Sequence, residues 1–289
     1  MKRDFIIGGE WVYYKIYSGA KTCDKVLLDI VKPVSEYLYS KKIIDKWFFI
    51  RYSDPKHHIR VRFHLTDLNK INEVLSTLFK GLDYYYQKDV IWKIQLDSYN
   101  REIERYGANS IKLAEDLFFY DSVMVLDFLS NINNNEEIRW LFSLKAIDSH
   151  LDSFGYSLEQ KLWLLERLKI GYRSEFGESK SLNKSINERY RLNQKKVKEI
   201  LEDENLDYSE ILFSILNKKN KSVYPVIKDI NNLISKDQLQ VDFHDLNMSF
   251  IHMLMNRLFK SKNRVHEMVC YDFLFKYYKS KIARMKYMK

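Results

Sequence analysis

The stretch from Lys46 to Leu65, "KWFFIRYSDPKHHIRVRFHL", constrains the fold more than any other part of the chain. Its first half is dense in aromatic and β-branched residues, the composition of a strand. Asp54-Pro55 then breaks it, because proline has no N–H and biases its predecessor away from helix. The second half, "HIRVRFHL", alternates strictly and reads as another strand. So few residues intervene that the two are expected to pair as a hairpin. Period two sends His58, Arg60, Arg62 and His64 to one face and Ile59, Val61, Phe63 and Leu65 to the other. The plain reading is a half-buried strand with a wet basic face, common in antiparallel sheets. The alternative is a face built to hold an anion.

Around this hairpin, "WVYYKIYS" (11–18) and "VIWKIQLDSY" (90–99) also read as strands. Residues 22–41 carry a helical period through Val26, Leu27, Ile30 and Val31, with Thr22 and Asp24 as caps. A second helix is expected over "LNKINEVLSTLFKGLDYYYQ" (68–87). The order β-α-β-β-α-β is the split pattern of a ferredoxin-like antiparallel sheet with both helices on one face. The basic face is then free to meet the rest of the chain. From Ser110 onward the period is helical, including "YSEILFSILNKK" (208–219), a polar helix near 183–202 and "SFIHMLMNRLF" (249–259). These patterns predict an α+β protein, with a β-rich half over 1–108 and a helical half over 109–289. The two are expected to act as one functional unit with the active site between them.

Composition narrows the function. Only 8 glycines and 3 prolines occur, too few for a turn-rich all-β fold, while 46% hydrophobic residues support a substantial core. The net charge of +9 is spread over Lys-rich helical stretches and the C-terminal "KYYKSKIARMKYMK", so direct nucleic-acid binding is not expected. Cys23 and Cys270 form no CxxC, as in a reduced cytoplasmic protein. "MKRDFIIGGEW" is too short for a signal peptide and no segment reaches transmembrane length, so no membrane association is expected. GxGxxG, P-loop, GxSxG and HExxH motifs are absent, and no Cys or carboxylate cluster completes a metal site. No cofactor and no metal are expected.

Two further stretches carry chemistry. In "YNREIERYG" (99–107), Tyr99, Glu102 and Arg105 are three apart, so a helical turn would align them. Glu102–Arg105 is either a surface pair worth ~0.3–0.5 kcal/mol or an oriented fork for a carboxylate. In "SFIHMLMNRLF", Met248, Ile251, Met255 and Leu258 make an apolar face, and Ser249, His252 and Asn256 a narrow polar stripe. His252 is either a satisfied core histidine or a proton carrier.

Together "WVYYKIYSG", "FFIRYSDPKHHIRVRF", "YNREIERYGANSIKLAEDLFFYDS" and "SFIHMLMNRLF" resemble the C-terminal, glutamate-eliminating part of class I lanthipeptide dehydratases. That part also occurs as a separate thiopeptide-type bacteriocin biosynthesis protein. The resemblance runs from Trp11 to about Phe259, and "RYGA" replaces the commoner RYGG. It implies a lyase that removes glutamate by β-elimination from glutamylated Ser or Thr of a precursor peptide, leaving dehydroalanine or dehydrobutyrine. It further implies a partner protein that uses glutamyl-tRNA to esterify the hydroxyl, and it admits a homodimer. Carried over by motif, the catalytic residues are Arg60, Arg62, Glu102, Arg105 and His252, with His58 and Tyr99 as substrate-binding neighbours. Two alternatives stay open: a [4+2] cycloaddition that forms the pyridine of thiopeptides, and a non-catalytic module that docks a leader peptide or partner.

Overall fold

The computed structural model describes residues 1–177, 179–202 and 209–287. Tyr208, Met288 and Lys289, used in the sequence reading above, lie outside the described residues. The fold is α+β and consists of two compact units, Met1–Asn133 with Lys228–Asp242, and Asn134–Ile227 with Phe243–Lys289.

The first unit opens with β1 (Asp4–Phe5) and β2 (Trp11–Ser18). Helix α1 (Cys23–Val26) continues through a π-helical turn, Leu27–Val31, into α2 (Lys32–Ser40). The hairpin follows as β3 (Ile44–Tyr52) and β4 (His58–Leu65). Then come α3 (Ile71–Gln87), β5 (Ile91–Asp97), β6 (Tyr99–Asn100), α4 (Ile103–Tyr106) and α5 (Ile111–Asn131). Four strands form one antiparallel sheet in the order β3-β4-β2-β5, while β1 and β6 pair as a separate ribbon.

Alternation in β4 works as its sequence demands. Ile59, Val61 and Phe63 are fully buried, together with Val12, Ile16 and Phe49 of the neighbouring strands. The helices between the strands supply Leu27, Val31, Leu38, Val74 and Leu78, equally buried. Each such side chain contributes about 1.5–3 kcal/mol on leaving water. Gly81 lets α3 approach the π-helical turn, since a Cβ there would sit 3.0 Å from Cγ2 of Ile30. The caps expected for the first helix differ from the structure. Thr22 turns its hydroxyl back to the Gly19 carbonyl, and Asp24 pairs at 2.7 Å with the buried Arg51. The sheet's edge strands are β3 and β5, and Trp92 and Leu96 of β5 are exposed.

The second unit contains α6 (Glu136–Ser153), α7 (Leu158–Phe176), α8 (Lys180–Leu201), most of α9 (Ser209–Ser235), α10 (Phe243–Leu258) and α11 (Asn263–Tyr287). Side chains fix the helix starts: Asn135 accepts from the amides of Glu137 and Ile138, and Ser157 with Gln160 closes a capping box. Caps of this kind are worth about 1 kcal/mol each. Helix α11 packs along α7, α8, α6 and α10. No helix among the described residues is long and apolar enough to cross a membrane.

Candidate functional site

On the basic face of the sheet, β2 and β4 bring cations and aromatic rings into register. Tyr13 lies opposite Arg62, Lys15 opposite Arg60 and Tyr17 opposite His58. From the other side β3 sets Phe48 beside Arg62 and Tyr52 beside His58. The face is not simply wet. Arg62 is 8% exposed, and its guanidinium carbon lies 4.2 Å from the ring centre of Tyr13, 4.7 Å from Tyr99 and 5.3 Å from Phe48. Its Nε is buried without a hydrogen-bond partner, and among the described residues no carboxylate pairs with it. Arginine cannot shed its charge. Cation–π contacts return about 0.5–2 kcal/mol each, whereas a buried ion costs several kcal/mol. Arg62 is therefore a fixed, buried cation whose charge no carboxylate among the described residues neutralises.

Arg60 lies beside it, half-buried, with its guanidinium 3.6 Å over the Tyr52 ring. Its Nε donates to His58 Nε2 at 3.0 Å, and His58 Nδ1 meets the Lys56 carbonyl at 2.8 Å. The carbonyl can only accept, so Nδ1 carries the proton and Nε2 the lone pair. Burial, and next the charge of Arg60, lower the His58 pKa against the pull of the Lys56 carbonyl, so the ring stays neutral. Lys15 is neutralised differently, by an ion pair with Asp97. Burial alone would raise the Asp97 pKa, but the Lys15 hydrogen bond, the Ser98 amide and the charges of Lys15 and Arg60 outweigh it. His64, at the end of the row, bonds Asp45 at 2.7 Å.

Tyr99 forms one wall of the Arg62 cage, but not in the way its spacing suggests. It belongs to strand β6, stacks on Phe5 and donates its hydroxyl to Glu115 Oε1 at 2.9 Å. Burial and then the Glu115 charge hold its phenol well above the ordinary range. Glu102 and Arg105 do not join it on a helical face. Glu102 stands at the N-cap of the short α4 and Arg105 lies within it; they pair with each other at 3.2 Å and stay exposed. Gly107 ends that helix at φ +77°, where a Cβ would fall 2.7 Å from Ser110 Oγ.

The buried partner in this region is one the sequence reading missed. Arg101 donates from Nε and Nη2 to the two oxygens of Glu115, both at 2.6 Å, and both residues are buried. A carboxylate on the mainly apolar buried side of α5, one turn after Ile111, is the signal that would have found it.

In the second unit, His252 lies on α10 with 20% of its side chain exposed, on the half-buried stripe that also carries Ser249 and Asn256. Its Nδ1 is 2.9 and 3.1 Å from the two oxygens of Glu267, a fully buried carboxylate on α11. Tyr172 of α7 lies 3.2 Å from the same nitrogen, and Asn256 Nδ2 is 3.2 Å from Nε2. Tyr172 and Tyr271 both donate to Glu267, and burial followed by the Glu267 charge raises both phenols well above their usual pKa. Glu267 was also missed. It shares a buried helical stripe with Cys270, Tyr271 and Leu274, where an acidic residue is out of place. Among the described residues no group of three or more His, Cys, Asp or Glu is arranged to hold a metal ion.

A family model described as "Lantibiotic biosynthesis dehydratase C-term" matches residues 11–278. The chain is 28% identical over 186 residues to the subtilin biosynthesis protein SpaB of Bacillus subtilis, covering 60% of this chain and 17% of that one. It is 28% identical over 138 residues to the nisin biosynthesis protein NisB of Lactococcus lactis subsp. lactis, covering 46% and 13%. The chain thus spans less than a fifth of either relative's length. Among solved structures, the tRNA-dependent lantibiotic dehydratase MibB from Microbispora sp. 107891 superposes with a TM-score of 0.70 at 19% identity, over 96% of this chain and 29% of MibB. The pyridine synthase TbtD from thiomuracin biosynthesis gives 0.70 at 11% identity, over 93% and 99%. These structural likenesses establish a shared fold.

Proposed function

The chain belongs to the lantibiotic dehydratase C-terminal family, and from that premise we propose that it is a lyase that removes glutamate from glutamylated Ser or Thr of a ribosomally made precursor peptide. The observation that carries the reading is Arg62, a buried guanidinium without an anionic partner among the described residues. Arg60 and Arg62 hold the glutamyl ester, with His58 keeping Arg60 in place and Tyr99 forming a wall of the Arg62 cage. Arg105, set by Glu102, binds a carboxylate of the same glutamate. His252 takes the Cα proton. The C–H electron pair becomes the second bond of Cα=Cβ, the Cβ–O bond breaks, and glutamate leaves as a carboxylate that keeps the Cβ–O pair. Negative charge grows on the peptide carbonyl and on the leaving group, and fixed donors at such points are worth about 3–4 kcal/mol of barrier. The ester is supplied by a glutamyl-tRNA-dependent partner, and the sheet order supports reading the first unit as a split βαβ sheet.

The test is reconstitution with precursor peptide, glutamylating partner, tRNA and glutamate, read by mass spectrometry. His252→Ala is expected to leave peptide binding intact while glutamylated peptide accumulates. Full dehydration by that variant removes His252 from the mechanism. Release of a leader peptide together with a new ring identifies cycloaddition instead.

A further inference from the structure

The surroundings of His252 decide which of its nitrogens is free to act, a question that rests on the proton-transfer role just proposed. Three groups besides the ring itself are involved. Glu267 is an ionisable acceptor buried at 0% exposure, 2.9 Å from Nδ1. The second group facing Nδ1, the Tyr172 hydroxyl, spends its proton on Glu267 and accepts one from Arg264 Nη1 at 2.6 Å. Arg264 is in turn held by Glu175. Both groups facing Nδ1 are therefore acceptors, and a nitrogen between two acceptors must donate.

The other nitrogen meets the opposite situation. Asn256 points Nδ2 at Nε2, 3.2 Å away. Its amide is oriented from behind, because Asn256 Oδ1 accepts from Asn263 Nδ2 at 2.9 Å. A donor facing Nε2 requires a lone pair there. Every partner around the ring thus asks for the same proton arrangement, and a buried polar network satisfied in one way only holds a side chain rigidly.

We infer that Glu267 is the positioning residue of His252: with Asn256 it fixes the imidazole as the Nδ1–H form, so that Nε2 is the nitrogen that takes the substrate proton. As Nε2 gains its proton the ring becomes positive, and the carboxylate 2.9 Å from Nδ1 stabilises that charge. Asn256 then faces a donor instead of a lone pair and must turn its amide or yield the position, which its half-buried site permits.

The full chain serves for the test. In spectra of ring-15N-labelled protein, the resonance of His252 (assigned by its loss in His252→Gln) should show Nδ1 protonated in the neutral form of the ring. A neutral ring protonated on Nε2 overturns the inference, and this measurement needs no variant at position 267. In the elimination assay, Glu267→Gln should lower kcat roughly 10²–10⁴-fold, the span of general acid–base catalysis, with KM unchanged. Glu267→Asp should recover part of the loss. A folded Glu267→Gln that eliminates at full rate overturns the inference while the role of His252 stands. Full-rate elimination by His252→Ala instead removes the proton-transfer role proposed above, and the inference with it.

Discussion

Replacing Arg62 by methionine should make the protein more stable and less active at once. The guanidinium is 8% exposed and among the described residues meets no carboxylate, so its lost hydration is answered by aromatic rings at 4.2, 4.7 and 5.3 Å. The desolvation cost of such an ion is several kcal/mol, and three cation–π contacts of about 0.5–2 kcal/mol each recover part of it. With each contact near the lower end of that range, a residual cost of about 1–3 kcal/mol remains. Methionine is unbranched and shorter than arginine, carries no charge, and gains sulfur–aromatic contacts of ~0.3–1.5 kcal/mol in the same cage. Denaturant titration of Arg62→Met should show a higher midpoint with an unchanged slope. The same variant should release glutamate from glutamylated peptide 10²–10³ times more slowly, the approximate loss for one missing pre-oriented donor. Free glutamate should raise the midpoint of the wild type and leave that of the variant unmoved. A lower midpoint in Arg62→Met would mean that the guanidinium has a stabilising partner within the fold. Undiminished glutamate release would mean that it has none in the substrate. Either result refutes the reasoning.

Three further outcomes can be checked. Glu115→Gln removes the charge that answers buried Arg101, and unfolding experiments should record a loss of about 3–5 kcal/mol. Arg105→Ala breaks only an exposed pair, so stability should change by less than ~1 kcal/mol while glutamylated peptide accumulates. His150 is buried and its pKa is lowered to about 3 by burial, with Lys219 adding to the shift and the Asn247 hydrogen bond opposing it. Its folded pKa lies below the ordinary value near 6.5, so the folded state binds fewer protons. The contribution is full above about pH 6.5 and is lost as pH falls toward 3, at up to about 1.4 kcal/mol per unit. Unfolding free energies of wild type and His150→Gln, measured from neutral to acidic pH, should diverge in that direction.

Most of the strand and helix order of the first unit was legible because each signal was local, although the short β1–β6 ribbon was not foreseen and the strand read over 90–99 divides into β5 and β6. Period two, the break at Asp54-Pro55 and the helical spacing of Val26, Leu27, Ile30 and Val31 need no knowledge of distant residues. Alternation also put Arg60 and Arg62 on one face. It could not reveal that Tyr13, Phe48 and Tyr99 enclose Arg62, since those rings arrive from three other strands. The three-residue spacing of Tyr99, Glu102 and Arg105 misled for a related reason. Equal spacing implies one face only within a single helix, and here the chain passes from β6 into a four-residue helix. The two buried carboxylates escaped notice because their meaning comes from partners on other elements, Arg101 for Glu115 and His252 for Glu267. A sequence marks such a residue only by its oddity on an apolar stripe.

The open rim at β5 sets a condition on how this protein can be handled and varied. A strand with one unpaired side offers its amides and carbonyls to any neighbour that runs alongside, and exposed Trp92 and Leu96 would add apolar attraction. The charge of exposed Lys93 stands in the way, because a like molecule docking there would bring a second ammonium close. Exchanging Lys93 for valine should therefore leave the monomer's fold intact yet turn concentrated solutions turbid, a change that light scattering would detect before any loss of secondary structure.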